Sequence, residues 1–386
     1  MKLLMVSQSE DLFSTKPASS NTLTRLHRYL TTMKQIDSGS RLDVLVFTRK
    51  SQAIQQPFPN LRLIPIPAPK IQLLPLYGMR VVRRLASLLS RPDVITVQTP
   101  VETGLLGLWL KRYFKAPLEV QIHFNLFSPY WLAERQFINS VRLKLARYII
   151  KQAEGVRSVS NTVAHRLQRD WAIPRERIEV IPVPVFYQHQ PTWSAGAVKL
   201  PTVTVLFVGR LVYPKNIPGL FRVINTVLAR MPESHFVIVG DGVERSGVEA
   251  QAKPLNAEKK RVFVLGTVPY NELPLLYRQT QVLVQPSLYE GFGRTVLEGY
   301  LFETPAVATR CGGPEDIIKS GETGYLTDIE AMDEFAERVI WLLEHPTEAK
   351  EMGACGRNYV QQQFDPNVLV GRMVGRWQHL AEVGRQ

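Results

Sequence analysis

The chain has 386 residues, 45% of them hydrophobic and 21% charged, with a formal net charge of +13. That length exceeds one ordinary domain and fits two of roughly 150 to 200 residues, each with a sizeable core. Two cysteines, Cys311 and Cys355, exclude a disulfide framework and a cysteine-rich metal site, and no apolar run reaches the ~18 residues that a membrane span needs.

The opening residues are too briefly apolar for a signal peptide and read as a buried first strand, which makes a cytoplasmic location the default expectation. Short β-rich runs then alternate with longer amphipathic ones. Residues 3–7, 42–48, 61–65, 94–98, 118–123, 156–160 and 178–181 read as strands; 22–35, 76–89, 103–113, 138–152 and 162–171 read as helices. Strands separated by helices predict a parallel sheet covered on both faces. Residues 183–201 are irregular and proline-rich and mark a junction. The pattern restarts with strands at 204–208, 235–239, 262–265, 282–285, 306–308 and 324–326, and helices that include 218–229, 271–277 and 296–301. The expected organisation is an α/β chain of two Rossmann-like αβα domains facing across a cleft. Residues 1–185 form the first domain, 186–200 the linker and 201–365 the second, and a helix within 366–386 crosses back to the first.

Charge is unevenly divided. Residues 1–200 carry 28 Lys and Arg against 12 Asp and Glu, a balance of +16, whereas 201–386 balance at −3. The cations interleave with apolar residues in 77–91 (Arg80, Arg83, Arg84, Arg91), in 109–115, and around Arg142, Lys144 and Arg147. Anionic membrane surfaces attract such segments, although arginines snorkelling on solvated helices explain them almost as well. No zinc-finger spacing, RNA-binding signature or aromatic array supports nucleic acid as a partner.

Chemistry concentrates in loops after strands. Glu290-Gly-Phe-Gly-Arg-Thr-Val-Leu-Glu298 places one carboxylate before a helix and another about two turns into it, with Phe292 and Gly293 turning the chain into that helix. Helix N-termini present amides to anions, so the segment suits an uncharged sugar beside a phosphate; a loop glutamate followed by a surface-paired one is the plainer alternative. After the first strand of the second half, Gly209 permits close approach, and Arg210 and Lys215 offer two cations to a diphosphate. Asp241, in Gly240-Asp-Gly242, either meets a ligand or caps the next turn. Gly312 and Gly313 either make room for a ligand or form a plain turn before Glu315. Nothing in the sequence establishes Cys311 as a nucleophile. His123 ends a predicted strand of the first domain, where a neutral imidazole either orients a sugar hydroxyl or serves the core. The histidines lack metal-ligand clustering.

In their order and spacing, Gly209-Arg-Leu with Lys215-Asn, Gly240-Asp-Gly, Pro286-Ser-Leu-Tyr-Glu-Gly-Phe-Gly, Glu298-Gly and Thr309-Arg-Cys-Gly-Gly resemble glycosyltransferase family 4, retaining enzymes of the GT-B fold. The resemblance implies transfer of a hexosyl group from a nucleoside diphosphate sugar to a glycan or lipid-linked acceptor, without a metal or other cofactor. Arg210 and Lys215 would hold the donor diphosphate and stabilise the leaving group, joined by Gly209 and Asp241. Glu290 would contact the transferred sugar and Glu298 the nucleotide ribose, while Pro286 and Ser287 shape the pocket. Gly291, Phe292, Gly293, Arg294 and Thr295 would supply the amides and turn that hold the donor, and His123 would lie beside the sugar. One departure concerns residues 7–20: many relatives carry a glycine-rich loop there, and this chain has Ala18, Ser19 and Ser20. Surface polysaccharide or glycolipid synthesis at the inner face of the plasma membrane is the expected setting. A transferase making a soluble glucoside, a sucrose-like sugar phosphate or a storage glucan stays open, as does a sugar-binding homologue without turnover.

Overall fold

The computed structural model describes residues 1–13, 21–186 and 204–385. Ala18, Ser19 and Ser20, and all of the expected linker beyond Phe186, lie outside them. The chain forms two units. One comprises Met1–Leu126, Arg135–Phe186 and Pro366–Gln386, and the other Phe127–Glu134 and Tyr187–Asp365.

In chain order the first unit contains β1 (Lys2–Ser7), α1 (Asn21–Ile36), β2 (Arg41–Thr48), β3 (Gln55–Phe58), β4 (Leu61–Pro67), α2 (Leu74–Arg84), β5 (Val94–Val97), α3 (Glu102–Phe114) and β6 (Leu118–Ile122). After α4 (Pro129–Glu134), which belongs to the other unit, it resumes with α5 (Gln136–Gln152), β7 (Gly155–Ser158), α6 (Asn161–Trp171) and β8 (Ile178–Val180). Its sheet runs β3-β4-β2-β1-β5-β6-β7-β8, and every pairing except β3 with β4 is parallel. Strands covered on both faces become continuous apolar runs: β1, β5 and β6 bury all or nearly all of their residues.

The second unit contains β9 (Thr204–Val208), α7 (Ile217–Arg230), β10 (His235–Val239), α8 (Arg245–Leu255), β11 (Val262–Gly266), α9 (Leu273–Arg278), β12 (Val282–Gln285), α10 (Arg294–Leu301), β13 (Ala306–Thr309), β14 (Gly324–Thr327), α11 (Met332–Glu344) and α12 (Pro346–Gln363). Its all-parallel sheet runs β11-β10-β9-β12-β13-β14. The chain winds outward from β9 in one direction and then from β12 in the other. Loops that leave the carboxyl ends of β9 and β12 therefore diverge, which opens the crevice where ligands of such sheets bind. Phe207, Leu220, Ile224, Phe236, Phe335 and Val339 fill the core between the sheet and helices α7 and α11.

Three features depart from the sequence expectation. β3 was not foreseen: Gln55-Gln-Pro-Phe58 has no apolar alternation, and its proline is tolerated because the strand lies at the sheet edge. Helix α2 stops at Arg84, and the amides of Leu88 and Leu89 turn back to the Leu85 carbonyl, both at 2.9 Å. Residues 127–134 sit with the second unit rather than the first, held by Tyr130 donating to Glu330 and by Tyr289 donating to Glu134 at 2.7 Å.

The final helix, α13 (Pro366–Val383), packs on α1 and β5 within the first unit. Its anchor is a buried charge. The Glu119 carboxylate on β6, fully buried, accepts Arg376 Nε at 2.8 Å, Trp377 Nε1 at 2.8 Å and Thr96 Oγ1 at 2.8 Å. Arg376 also donates to the Arg177 carbonyl at 2.7 Å, and Trp377 packs edge-on against Tyr29 at 5.1 Å. Removing one partner of such a pair leaves an uncompensated charge in a place water cannot reach. Glu119→Ala is therefore expected to lower stability by about 3–5 kcal/mol, read as a shift of the first unit's urea transition; an unchanged midpoint would show that α13 is held by apolar packing alone.

Candidate functional site

The second unit assembles its loops by backbone contact at the carboxyl ends of β9 and β12. Gly209 N–H donates to the Val239 carbonyl at 3.0 Å, and a Cβ on Gly240 would lie 1.8 Å from Gly209 O. Leu288 N–H donates to the Pro214 carbonyl at 2.8 Å, which ties the loop after β12 to the loop after β9. Asn216 ends the first of these loops in a left-handed conformation (φ 52°). Its side chain accepts Gly219 N–H at 3.1 Å, an N-cap that starts α7 and fixes where Lys215 stands.

Across that tie, Lys215 Nζ meets Glu290 Oε2 at 2.5 Å, and Gln285 Nε2 donates to the same oxygen at 2.9 Å. Both members of the pair keep some solvent contact, with side chains 14% and 22% exposed, so an incoming anion can compete for the lysine. Arg210 is exposed, two residues past the end of β9. Glu290 is held on its other side by main chain: its N–H donates to Cys311 O at 3.2 Å and its C=O accepts Gly313 N–H at 3.3 Å.

The chain then enters α10 through Gly293 at φ 88°, with Phe292 buried under it. Gly291, Phe292 and Gly293 are buried, while Arg294 and Thr295 form the half-buried first turn, where helix amides point outward. Thr295 Oγ1 lies 3.4 Å from Gln285 Oε1. Pro286 and Ser287 are buried; the Ser287 carbonyl accepts Thr309 Oγ1 at 2.5 Å, and its hydroxyl has no hydrogen-bond partner among the described residues.

Glu298 has different surroundings. It is buried, and its oxygens accept Arg294 Nε at 2.6 Å, Tyr270 OH at 3.1 Å and Tyr277 OH at 3.0 Å. Burial, reinforced by the Glu298 charge, pushes the Tyr277 phenol well above its ordinary range, so it stays a donor. The surface-paired alternative for this residue does not hold. Asp241 accepts Gly242 N–H at 2.7 Å and pairs with Arg245 at 3.1 Å. Gly313 makes no room for a ligand, because its Cα packs against Phe292, and a Cβ there would lie 2.2 Å from Phe292 Cα. Cys311 is buried and burial raises its thiol strongly, which makes it a poor nucleophile.

His123 lies in the first unit, one residue past β6. Its Nε2 is 3.1 Å from Gln121 Oε1, the oxygen that also accepts Arg157 Nη1 at 2.8 Å. Arg157 thereby fixes which end of the Gln121 amide is oxygen, so His123 Nε2 carries the proton and Nδ1 is left as an acceptor. Burial first, then the charges of Arg157 and Arg25, hold the ring well below 6.5.

Gln121, Arg157, Gln285, Tyr270 and Tyr277 were not found from sequence. A signal exists for three of them. Gln121 and Arg157 are polar residues inside buried strands, paired in register across β6 and β7, and Gln285 closes an otherwise apolar strand. The tyrosines carry no comparable pattern. Among the described residues no group of three or more His, Cys, Asp or Glu is placed to hold a metal ion.

Comparison with known proteins agrees with this layout. The family model described as "Glycosyl transferases group 1" matches residues 195–359, and the one described as "Glycosyltransferase Family 4" matches residues 27–186. The 2-deoxystreptamine N-acetyl-D-glucosaminyltransferase of Niallia circulans is 27% identical over 43% of this chain and 42% of its own length. The GDP-mannose-dependent alpha-mannosyltransferase of Mycolicibacterium smegmatis is 29% identical over 69% of this chain and 68% of its own. The structure of a sucrose-phosphate synthase from Thermosynechococcus elongatus aligns with a TM-score of 0.83 at 21% identity, over 99% of this chain and 100% of that one. That likeness establishes the two-domain GT-B fold.

Two predictions follow the geometry. His123 should stay uncharged at about pH 6.5, where an ordinary histidine is half protonated, and ring signals in an NMR titration will show it. The unfolded chain takes up that proton more readily, so the stability tied to this ring is present above the ordinary histidine range and lost as pH falls below it. Gly313→Ala, forced against the Phe292 main chain, should cost about 1–3 kcal/mol and weaken ligand binding at Glu290; a variant with wild-type melting would refute the close packing.

Proposed function

Because this chain belongs to glycosyltransferase family 4, we propose that it moves a hexosyl group from a nucleoside diphosphate sugar to a glycan or lipid-linked acceptor, with retention at the anomeric carbon. The observation that carries this reading is the Lys215–Glu290 pair at the diverging loops, beside the first turn of α10. Without donor, Glu290 neutralises the lysine. A bound diphosphate takes over Lys215, joined by Arg210, and frees the Glu290 carboxylate to accept sugar hydroxyls. Gly209 lets the phosphates approach the main chain, and the amides of the α10 turn receive their oxygens. Glu298, steadied by Tyr270, Tyr277 and Arg294, is the ribose-side carboxylate.

In the reaction the bond from the anomeric carbon to the phosphate oxygen breaks, the acceptor oxygen bonds on the same face, and the acceptor proton passes to the departing phosphate. Arg210 and Lys215 stabilise the negative charge that grows there, which in this reading needs no divalent ion. Glu290 is a positioning group rather than a covalent nucleophile. His123 Nδ1, an acceptor on a neutral ring, is suited to a sugar hydroxyl. The cationic first unit favours an anionic, membrane-side acceptor, with the enzyme peripheral on the cytoplasmic face. No helix among the described residues is long and apolar enough to cross a membrane.

Calorimetry with UDP-, GDP- and ADP-sugars, followed by transfer assays with the donor so identified, tests the reading. Lys215→Ala should lower kcat/KM by about 10²–10³, as loss of one preorganised stabiliser does. Glu290→Gln should lower kcat more than it weakens binding of the free nucleoside diphosphate. Wild-type efficiency in both variants would sink the assignment.

A further inference from the structure

We propose that α5, flanked by α3 and α2, is the surface by which the first unit lies on an anionic lipid bilayer. This deepens the membrane-side reading above by naming the element that inserts.

Helix α5 is apolar on two sides. Asn139, Ala146, Ile149 and Ile150 are its buried residues. At 100° per residue, Phe137, Val141, Lys144, Tyr148 and Lys151 form a second stripe opposite that side, spaced four, three, four and three residues apart. Phe137 is 82% exposed, Val141 51% and Tyr148 52%. A helix that only covers a sheet places polar side chains there. Helix α3 packs against both α5 and α2, and these neighbours carry exposed apolar side chains of their own, Leu105, Tyr113 and Leu76. Arg80 and Arg83 lie over the rings of Tyr77 and Trp109 at 5.7 and 5.5 Å, so cations and aromatic rings stand together.

Charge identifies the occupant. Residues 74–91, 102–115 and 136–152 hold eleven Lys and Arg and one acid, Glu102. That acid is buried and taken up by Arg142 at 2.9 Å. A second copy of this chain would set cations against cations. A bilayer with anionic headgroups accepts both components at once: apolar side chains enter the headgroup boundary and the lysines and arginines meet lipid phosphates.

The test is co-sedimentation of the full chain with vesicles of phosphatidylcholine alone or with about 30% phosphatidylglycerol. Binding is expected only to the anionic vesicles and should weaken with salt. The triple variant Phe137→Ser, Val141→Ser, Tyr148→Ser changes exposed positions alone, and its melting and its nucleoside diphosphate binding should match wild type. Its partition coefficient should fall by at least about tenfold. A Phe137→Trp reporter should shift to the blue on anionic vesicles and be quenched by brominated lipid. Absent binding, binding unaffected by the triple variant, or an unshifted reporter would overturn the proposal. So would self-association, or capture of an acidic protein, that the triple variant abolishes while vesicles remain unbound. The vesicle assay uses neither donor nor acceptor. Its failure would leave the transferase reading standing, and failure of donor binding would leave the docking surface standing.

Discussion

The second unit depends on main chain lying directly against main chain. Three glycines of its strand-to-helix loops have no room for a Cβ: Gly240 against Gly209 O at 1.8 Å, Gly242 against Leu211 O at 2.2 Å, and Gly313 against Phe292 Cα at 2.2 Å. Gly242 and Gly313 do not adopt positive φ, so space rather than backbone angle requires them. The loops after β9, β10, β12 and β13 are thereby clamped into one block. A cation from one loop and a carboxylate from another can then meet at 2.5 Å without either side chain searching for the other.

Buried and half-buried carboxylates divide by how replaceable their partners are. Glu119 and Glu298 each take three donors and have little contact with water, which suits fixed positioning. Glu290 takes Lys215 and Gln285 and keeps some exposure. A site that must release and recapture an anion needs at least one partner that can be exchanged, and the Lys215–Glu290 pair at the diverging loops supplies one.

Much of this was legible in the sequence because parallel strands buried on both faces write themselves as short apolar runs. The strands of the second unit were placed almost to the residue, and Gly209, Lys215, Glu290 and Glu298 fall on the loops and helix assigned to them. What remained hidden involves partners far apart in the chain. Arg376 and Trp377 meet Glu119 across more than 250 residues, and no local pattern marks that pairing. Residues 127–134 could not be assigned to the second unit because two tyrosine hydroxyls hold them there, not a periodicity. Gly312 and Gly313 read either as an opening for a ligand or as a plain turn, and at Gly313 the missing side chain serves close packing. His123 was singled out, but its tautomer depends on Arg157, whose contact with Gln121 follows from the register of β6 and β7.

The buried anchor of α13 has a consequence for how the protein is made. Synthesis runs from the N-terminus, yet Glu119 waits for a guanidinium that leaves the ribosome only after all of β9 to α12. Until then β6 carries a carboxylate in an incomplete core, and water or a chaperone must shield it. The second unit, whose residues are nearly contiguous in the chain, is able to assemble during that interval. The first half of the chain to be translated is therefore the last to be finished, and a chain cut short just before Pro366 holds every residue of the second unit while its first unit lacks the closing helix.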